Sequence, residues 1–99
     1  MLLLPTFLDS QIMQLAERTA DIQWGFGGFG TGLSDLVVYI RKRHPRPDHI
    51  TTEIVEEALK RLHTCGQIYL QNWNGNGYSP WRPDWDGFFR AFRLLSAKP

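Results

Sequence analysis

The chain has one cysteine, no long hydrophobic run and almost no net charge. Each of these shortages argues against a class of protein. Cys65 cannot form an internal disulfide, which fits a reducing compartment. The apolar start at residues 1–4 is followed at once by Pro5 and is too short for a signal peptide or a membrane span. With 11 Lys and Arg against 10 Asp and Glu, bulk charge gives no strong attraction to a polyanion. We expect a soluble, cytoplasmic protein with no membrane partner.

The length of 99 residues predicts a single domain, residues 1–99, with a small core. No repeat, low-complexity tract or linker divides the chain. Aromatic side chains crowd into the last third, at Tyr69, Trp73, Tyr78, Trp81, Trp85, Phe88, Phe89 and Phe92. This crowding predicts either a core that the C-terminal segment closes or a contact surface.

The most regular pattern begins with a capped amphipathic helix. Thr51 or Thr52 can supply the N-cap hydroxyl, and acidic residues in the first turn favour the helix dipole. Apolar side chains follow at helical spacing: Ile54, Val55, Ala58, Leu59 and Leu62. Gly66, free to adopt positive φ, ends this helix after Thr64.

A hairpin is predicted directly after this helix. Residues 67–71 alternate like a half-buried strand, and residues 78–81 can return as its partner. Between them, residues 72–77 contain two Asn-Gly pairs, which are typical of tight hairpin turns.

Three further helices are expected. The first runs from Asp9 or Ser10 to about Ala20, with a short extended piece near residues 22–24. The second runs from Thr31 or Ser34 to Arg43 and ends before Pro45 and Pro47. The last runs from Asp84 to about Ser96, and its apolar stripe comprises Trp85, Phe88, Phe89, Phe92 and Leu95.

Two segments carry a resemblance to a known superfamily. Residues 58–69, ALKRLHTCGQIY, resemble the end of the recognition helix and the first wing strand of PadR- and MarR-like winged-helix regulators, where the pattern aLxxLxxxGxI recurs. Gly66 and Ile68 match that pattern. Residues 84–87, DWDG, are similar to the T-x-x-G step from the second wing strand into the C-terminal helix, with Asp84 in place of Thr. The resemblance covers roughly residues 31–92.

The resemblance implies an α+β winged helix with a three-helix core, a two-stranded wing and a C-terminal helix. It also implies a small non-catalytic DNA-binding protein, a transcription regulator that binds double-stranded DNA. A homodimer through the first and last helices is expected, because PadR-like proteins resemble this arrangement. The alternative is a winged-helix protein–protein interaction module that does not bind DNA.

Charge placement leaves both functions open. In a DNA-reading winged helix the third helix enters the major groove, and here its N-terminal half carries Glu53, Glu56 and Glu57. No Lys or Arg occurs from Leu62 to Trp81. The candidate nucleic-acid-binding residues are Arg41, Lys42, Arg43, Arg46, Lys60 and Arg61. Cations at the end of the second helix can equally well offset the helix dipole.

The aromatic residues supply the candidate protein interface. Trp73 and Tyr78 on the wing can anchor a partner, or can fold back and pair across the hairpin. On the last helix, Phe88, Phe89 and Phe92 are expected to form a dimer contact, or the core if the protein is monomeric.

Three other motifs do not indicate a site. Residues 25–30 satisfy G-x-G-x-x-G, but no buried strand precedes them and the chain is too short for a dinucleotide fold. Histidines near Cys65 lack the paired spacing of a zinc site. No orienting acid stands beside a candidate base. We therefore expect no enzyme activity, no metal and no cofactor.

Overall fold

The computed structural model describes residues 4–22, 32–73, 76–82 and 91–97, which form an α+β fold. The elements in chain order are helix α1 (Leu4–Glu17), strand β1 (Ala20–Ile22), helix α2 (Gly32–Arg41), a 3₁₀ turn (Pro47–His49), helix α3 (Thr52–Thr64), and strands β2 (Ile68–Trp73), β3 (Tyr78–Pro80) and β4 (Phe92–Ser96).

The strands form one antiparallel sheet in the order β1-β4-β2-β3. The last strand in the chain therefore lies between the first two. Leu94 of β4 is opposite Ala20 on one side and Leu70 on the other. Strand β3 pairs with the free side of β2, where Trp73 is opposite Tyr78.

The core lies between the helices and one face of this sheet. Helix α1 packs against both α3 and β4, and α2 packs against α3 and β1. The largest fully buried side chains come from all three helices, the α2–α3 connection, β2 and β4: Ile12, Leu33, Leu36, Ile40, Ile50, Leu59, Ile68, Leu70, Phe92 and Leu94.

Helix α3 and the turn after it confirm the prediction from sequence. The hydroxyl of Thr51 accepts a hydrogen bond from the backbone N–H of Ile54 at 3.3 Å. At the other end Gly66 has φ of 75°. The N–H of Gln67 donates to the carbonyl of Leu62 at 2.9 Å, and the N–H of Gly66 donates to that of His63 at 3.1 Å. This pair of bonds is a Schellman motif, which requires the left-handed glycine.

The predicted hairpin is also present as a pair of strands, β2 and β3, with the chain reversing between Trp73 and Tyr78. Of the turn residues, positions 74 and 75 lie outside the described residues.

The predicted bounds of the first helix and the predicted end of the second helix are wrong. Helix α1 begins at Leu4 rather than near Asp9, because a proline in the first turn of a helix removes no helical hydrogen bond. It ends at Glu17, since Thr19 adopts a left-handed φ of 55° and the chain then enters β1. Helix α2 ends at Arg41, two residues earlier than expected.

The predicted C-terminal helix is wrong over residues 92–96, which form β4. Phe92 and Leu94 are fully buried, whereas Arg93 and Leu95 between and after them are half-buried. This alternation has the period of a strand, and both edges of β4 are hydrogen-bonded to neighbours. The aromatic stripe at residues 85–89 lies outside the described residues.

Candidate nucleic-acid interface

The connection between α2 and α3 is a well-ordered turn that Arg41 holds in place. The side chain Nε of Arg41 donates to the backbone carbonyl of Ile50 at 2.7 Å. Ile50 is buried, and its own N–H closes the 3₁₀ turn by donating to the carbonyl of Pro47 at 3.0 Å. A charge-assisted hydrogen bond of this length fixes the end of α2 against the start of α3.

His44 organises the same turn from its other side. The backbone N–H of Arg46 donates to Nδ1 of His44 at 3.0 Å. The imidazole also meets the ring of Phe7 edge-on, with 4.8 Å between the centroids. The backbone that carries Arg46 is therefore anchored to α1.

Two cationic side chains of this turn have no ion-pair or hydrogen-bond partner among the described residues. The side chains of Lys42 and Arg46 are exposed, and neither makes an ion pair or a hydrogen bond within the part of the chain that the structure describes. An unpaired surface cation gives up little when it meets an anion, so these two side chains are the most available to a phosphate.

Arg43 is held by Tyr39, one turn earlier on α2. Its guanidinium lies over the Tyr39 ring, 3.6 Å from the centroid. It also donates to the backbone carbonyl of Tyr39 at 3.1 Å. From the end of α1, Arg18 donates to the hydroxyl of the same tyrosine at 3.3 Å. Tyr39 thus contacts the guanidinium groups of two arginines that are 25 positions apart in the chain.

On α3 the candidate cations are neutralised. Lys60 pairs with Glu56 one turn earlier at 3.4 Å. Arg61 forms a two-pronged ion pair with Asp9 of α1, at 2.8 and 2.6 Å. Glu53 and Glu57 remain exposed on this helix. The exposed surface of α3 is therefore acidic on balance.

The hydrogen bonds to Asp9 raise the pKa of the Arg61 guanidinium above its ordinary value. Since the folded pKa lies above the unfolded one, the charged arginine contributes its full stabilisation at neutral pH, which is below the unfolded pKa. That contribution is lost only as the pH rises through the folded pKa, far above neutrality. Arg61 therefore links α3 to α1 through its ion pair with Asp9 throughout the physiological pH range.

Of the candidate protein-interface residues, the structure describes Tyr78, Phe92 and the backbone of Trp73. Tyr78 is half-buried on β3, and the guanidinium of Arg93 lies 4.0 Å from its ring centroid. The backbone of Trp73 pairs with Tyr78. Phe92 is buried in the core, so it is not available as a surface contact. Phe88 and Phe89 lie outside the described residues.

Sequence reasoning missed Arg18, Tyr39 and Tyr69. No local pattern connects Arg18 with Tyr39, because they are 21 positions apart and come together only in the folded chain. Tyr69 is 56% exposed on β2, opposite the half-buried Leu95 of β4. Its alternation with the buried Ile68 and Leu70 was the available signal for an outward side chain.

The described residues contain no group of three His, Cys, Asp or Glu side chains placed to hold a metal ion. Within the same residues, no helix is both long and apolar enough to cross a membrane. No family model matches the chain, and searches of curated proteins and of solved structures found no similar protein.

Proposed function

We propose that this chain is a small non-catalytic winged-helix protein that binds double-stranded DNA and acts as a transcription regulator. The element order of helix, strand, two helices and then three strands supports the winged-helix assignment. So does the sheet, in which β1 and β2 flank the last strand behind a three-helix core. On this proposal the wing is the hairpin of β2 and β3, and Arg82 follows it.

The observation that carries the proposal is the ordered basic turn between α2 and α3. Arg41 and His44 fix its backbone, while Lys42 and Arg46 project with no partner among the described residues. In helix-turn-helix proteins the first helix crosses the DNA backbone as the second enters the groove. A cationic turn at this junction is placed to meet phosphates, which supply the sequence-independent part of binding.

The charges on α3 determine what kind of binding we propose. Because Lys60 and Arg61 are paired with carboxylates, the proposal rests on the turn and not on these two residues. Exposed Glu53 and Glu57 oppose close approach to phosphates, although a single Glu can accept a hydrogen bond from cytosine in the major groove. We therefore expect mainly backbone contact, with modest sequence preference.

A titration of mixed-sequence duplex at several salt concentrations tests this proposal. Replacing Lys42 and Arg46 together by Ala removes two phosphate contacts. The slope of log affinity against log salt should fall by about two units, and affinity at 0.1 M salt should fall about 60-fold. Arg82→Ala, at an exposed position after β3, removes the same kind of charge elsewhere and serves as the control. Failure of the wild type to bind duplex at low salt, where attraction is strongest, would overturn the proposal.

A protein-interaction module is the second candidate, favoured by the exposed Tyr69. Tyrosines are frequent interface anchors, and Leu95 opposite Tyr69 extends the apolar surface. Under this alternative, Tyr69→Ala or Tyr78→Ala should abolish binding to a partner, whereas loss of Lys42 should have little effect. A partner whose affinity is insensitive to both tyrosine variants would exclude this candidate.

A further inference from the structure

Tyr39 is the centre of a cationic cluster that joins two elements of the fold. Its side chain packs against the hydrophobic core, so its position is fixed by the fold. The hydroxyl accepts from Nη2 of Arg18 at 3.3 Å, and the ring supports the guanidinium of Arg43 at 3.6 Å. Arg43 is further fixed by its bond to the carbonyl of Tyr39 at 3.1 Å. Both guanidinium groups are thus oriented before any ligand arrives.

No anion of the described chain neutralises this cluster. Neither Arg18 nor Arg43 forms an ion pair with a carboxylate among the described residues. Glu17 precedes Arg18 but is exposed and makes no ion pair with it within those residues. The exposed Lys42 stands directly before Arg43. Arg18 and Arg43 carry like charges and contact the same tyrosine, so they repel each other, and an external anion relieves that repulsion.

We propose that Arg18, Tyr39 and Arg43 form a binding site for one phosphate group. On the proposed function, on which this inference rests, the ligand is a backbone phosphate of duplex DNA. Planar guanidinium groups match phosphate oxygens through paired N–H donors, which a lysine cannot do. Because Arg18 follows α1, the site extends the footprint of the basic turn to a second part of the fold.

The test compares Arg18→Ala with Arg82→Ala in the full chain, again by duplex titration at several salt concentrations. Arg18 lies outside the basic turn, so its effect is separable from that of Lys42 and Arg46. Arg18→Ala should lower the salt slope by about one unit and the affinity at 0.1 M salt about eightfold. Arg82→Ala should change neither.

Tyr39→Phe tests whether binding requires the tyrosine hydroxyl to orient Arg18, or only the positive charges of the cluster. This variant keeps the ring under Arg43 and both charges but removes the acceptor of Arg18. The salt slope should be unchanged because no charge is lost, whereas affinity should fall roughly threefold, the effect of one weak hydrogen bond. An unchanged circular-dichroism melting curve confirms that the fold is intact.

The outcomes separate this inference from the proposed function. If the wild type binds duplex and Arg18→Ala behaves like Arg82→Ala, the phosphate site is overturned while the basic turn stands. If Tyr39→Phe matches the wild type, the tyrosine does not orient the arginine and the site as described is overturned. If the wild type binds no duplex, both proposals fail together.

Discussion

Truncation of Phe92 tests the most consequential feature of the fold, the central strand β4. Phe92 is fully buried, and its backbone is opposite Ile22 on one side and Asn72 on the other. Phe92→Ala removes a large apolar side chain from the sheet–helix interface and should cost about 3–5 kcal/mol of unfolding free energy. A domain of this size has roughly 5–15 kcal/mol in total, so the loss is a large fraction of its stability.

Urea denaturation followed by circular dichroism measures this loss directly. Tyr69→Ala is the matched control, because it removes an aromatic side chain of similar size from the neighbouring strand. Tyr69 is 56% exposed, so its removal should cost less than about 1 kcal/mol. Phe92→Leu keeps most of the apolar volume, so its loss of unfolding free energy should lie between those of the other two variants. It can be measured even if Phe92→Ala does not fold.

The helical dimer face expected from sequence makes the opposite prediction. A surface Phe92 on a helix would leave monomer stability nearly unchanged and shift the oligomeric state instead. A cost below 1 kcal/mol for Phe92→Ala, together with loss of a dimer in light scattering, would refute the buried strand.

Three further substitutions test the remaining structural features by the same denaturation assay. Thr51→Ala should cost about 1 kcal/mol through loss of the N-cap bond, and Thr51→Ser should restore most of it. Gly66→Ala should cost about 1–2 kcal/mol from backbone conformation alone, because a Cβ there meets no described heavy atom within 4 Å; an equal cost for Gly66→Asn would contradict this. A double-mutant cycle on Asp9 and Arg61 should give a coupling energy of up to about 1 kcal/mol that weakens with salt. A coupling energy of zero would show that this ion pair does not stabilise the contact between α1 and α3.

Local signals were sufficient where one short segment determines its own conformation. The cap at Thr51, the apolar spacing of α3 and the glycine at position 66 all act within a few residues. Sequence therefore predicted this helix with its observed bounds, Thr52–Thr64. The same holds for the pairing of β2 with β3, which are close in the chain and separated by Asn-Gly pairs.

Strand β4 was missed because its conformation depends on distant partners. Phe92 and Leu95 fit a helical stripe, but Leu94, fully buried, does not. The deciding contribution is the hydrogen bonding of β4 to β1 and β2, and β1 lies some 70 positions earlier. A single sequence contains no sign of that pairing. For the same reason it could not place Arg18 beside Tyr39.

On the proposed function, the distribution of ion pairs would allow a chain of net charge +1 to bind a polyanion. Glu56 neutralises Lys60 within α3, and Asp9 of α1 neutralises Arg61 and so links the two helices. Arg18 follows α1, and Lys42, Arg43 and Arg46 follow α2; none of these four side chains forms an ion pair with a carboxylate among the described residues. A field that is local in this way attracts phosphates only over about a Debye length, roughly 8–10 Å at physiological salt. Binding should therefore depend on the position of a few arginines and lysines, and total charge is a poor guide to it.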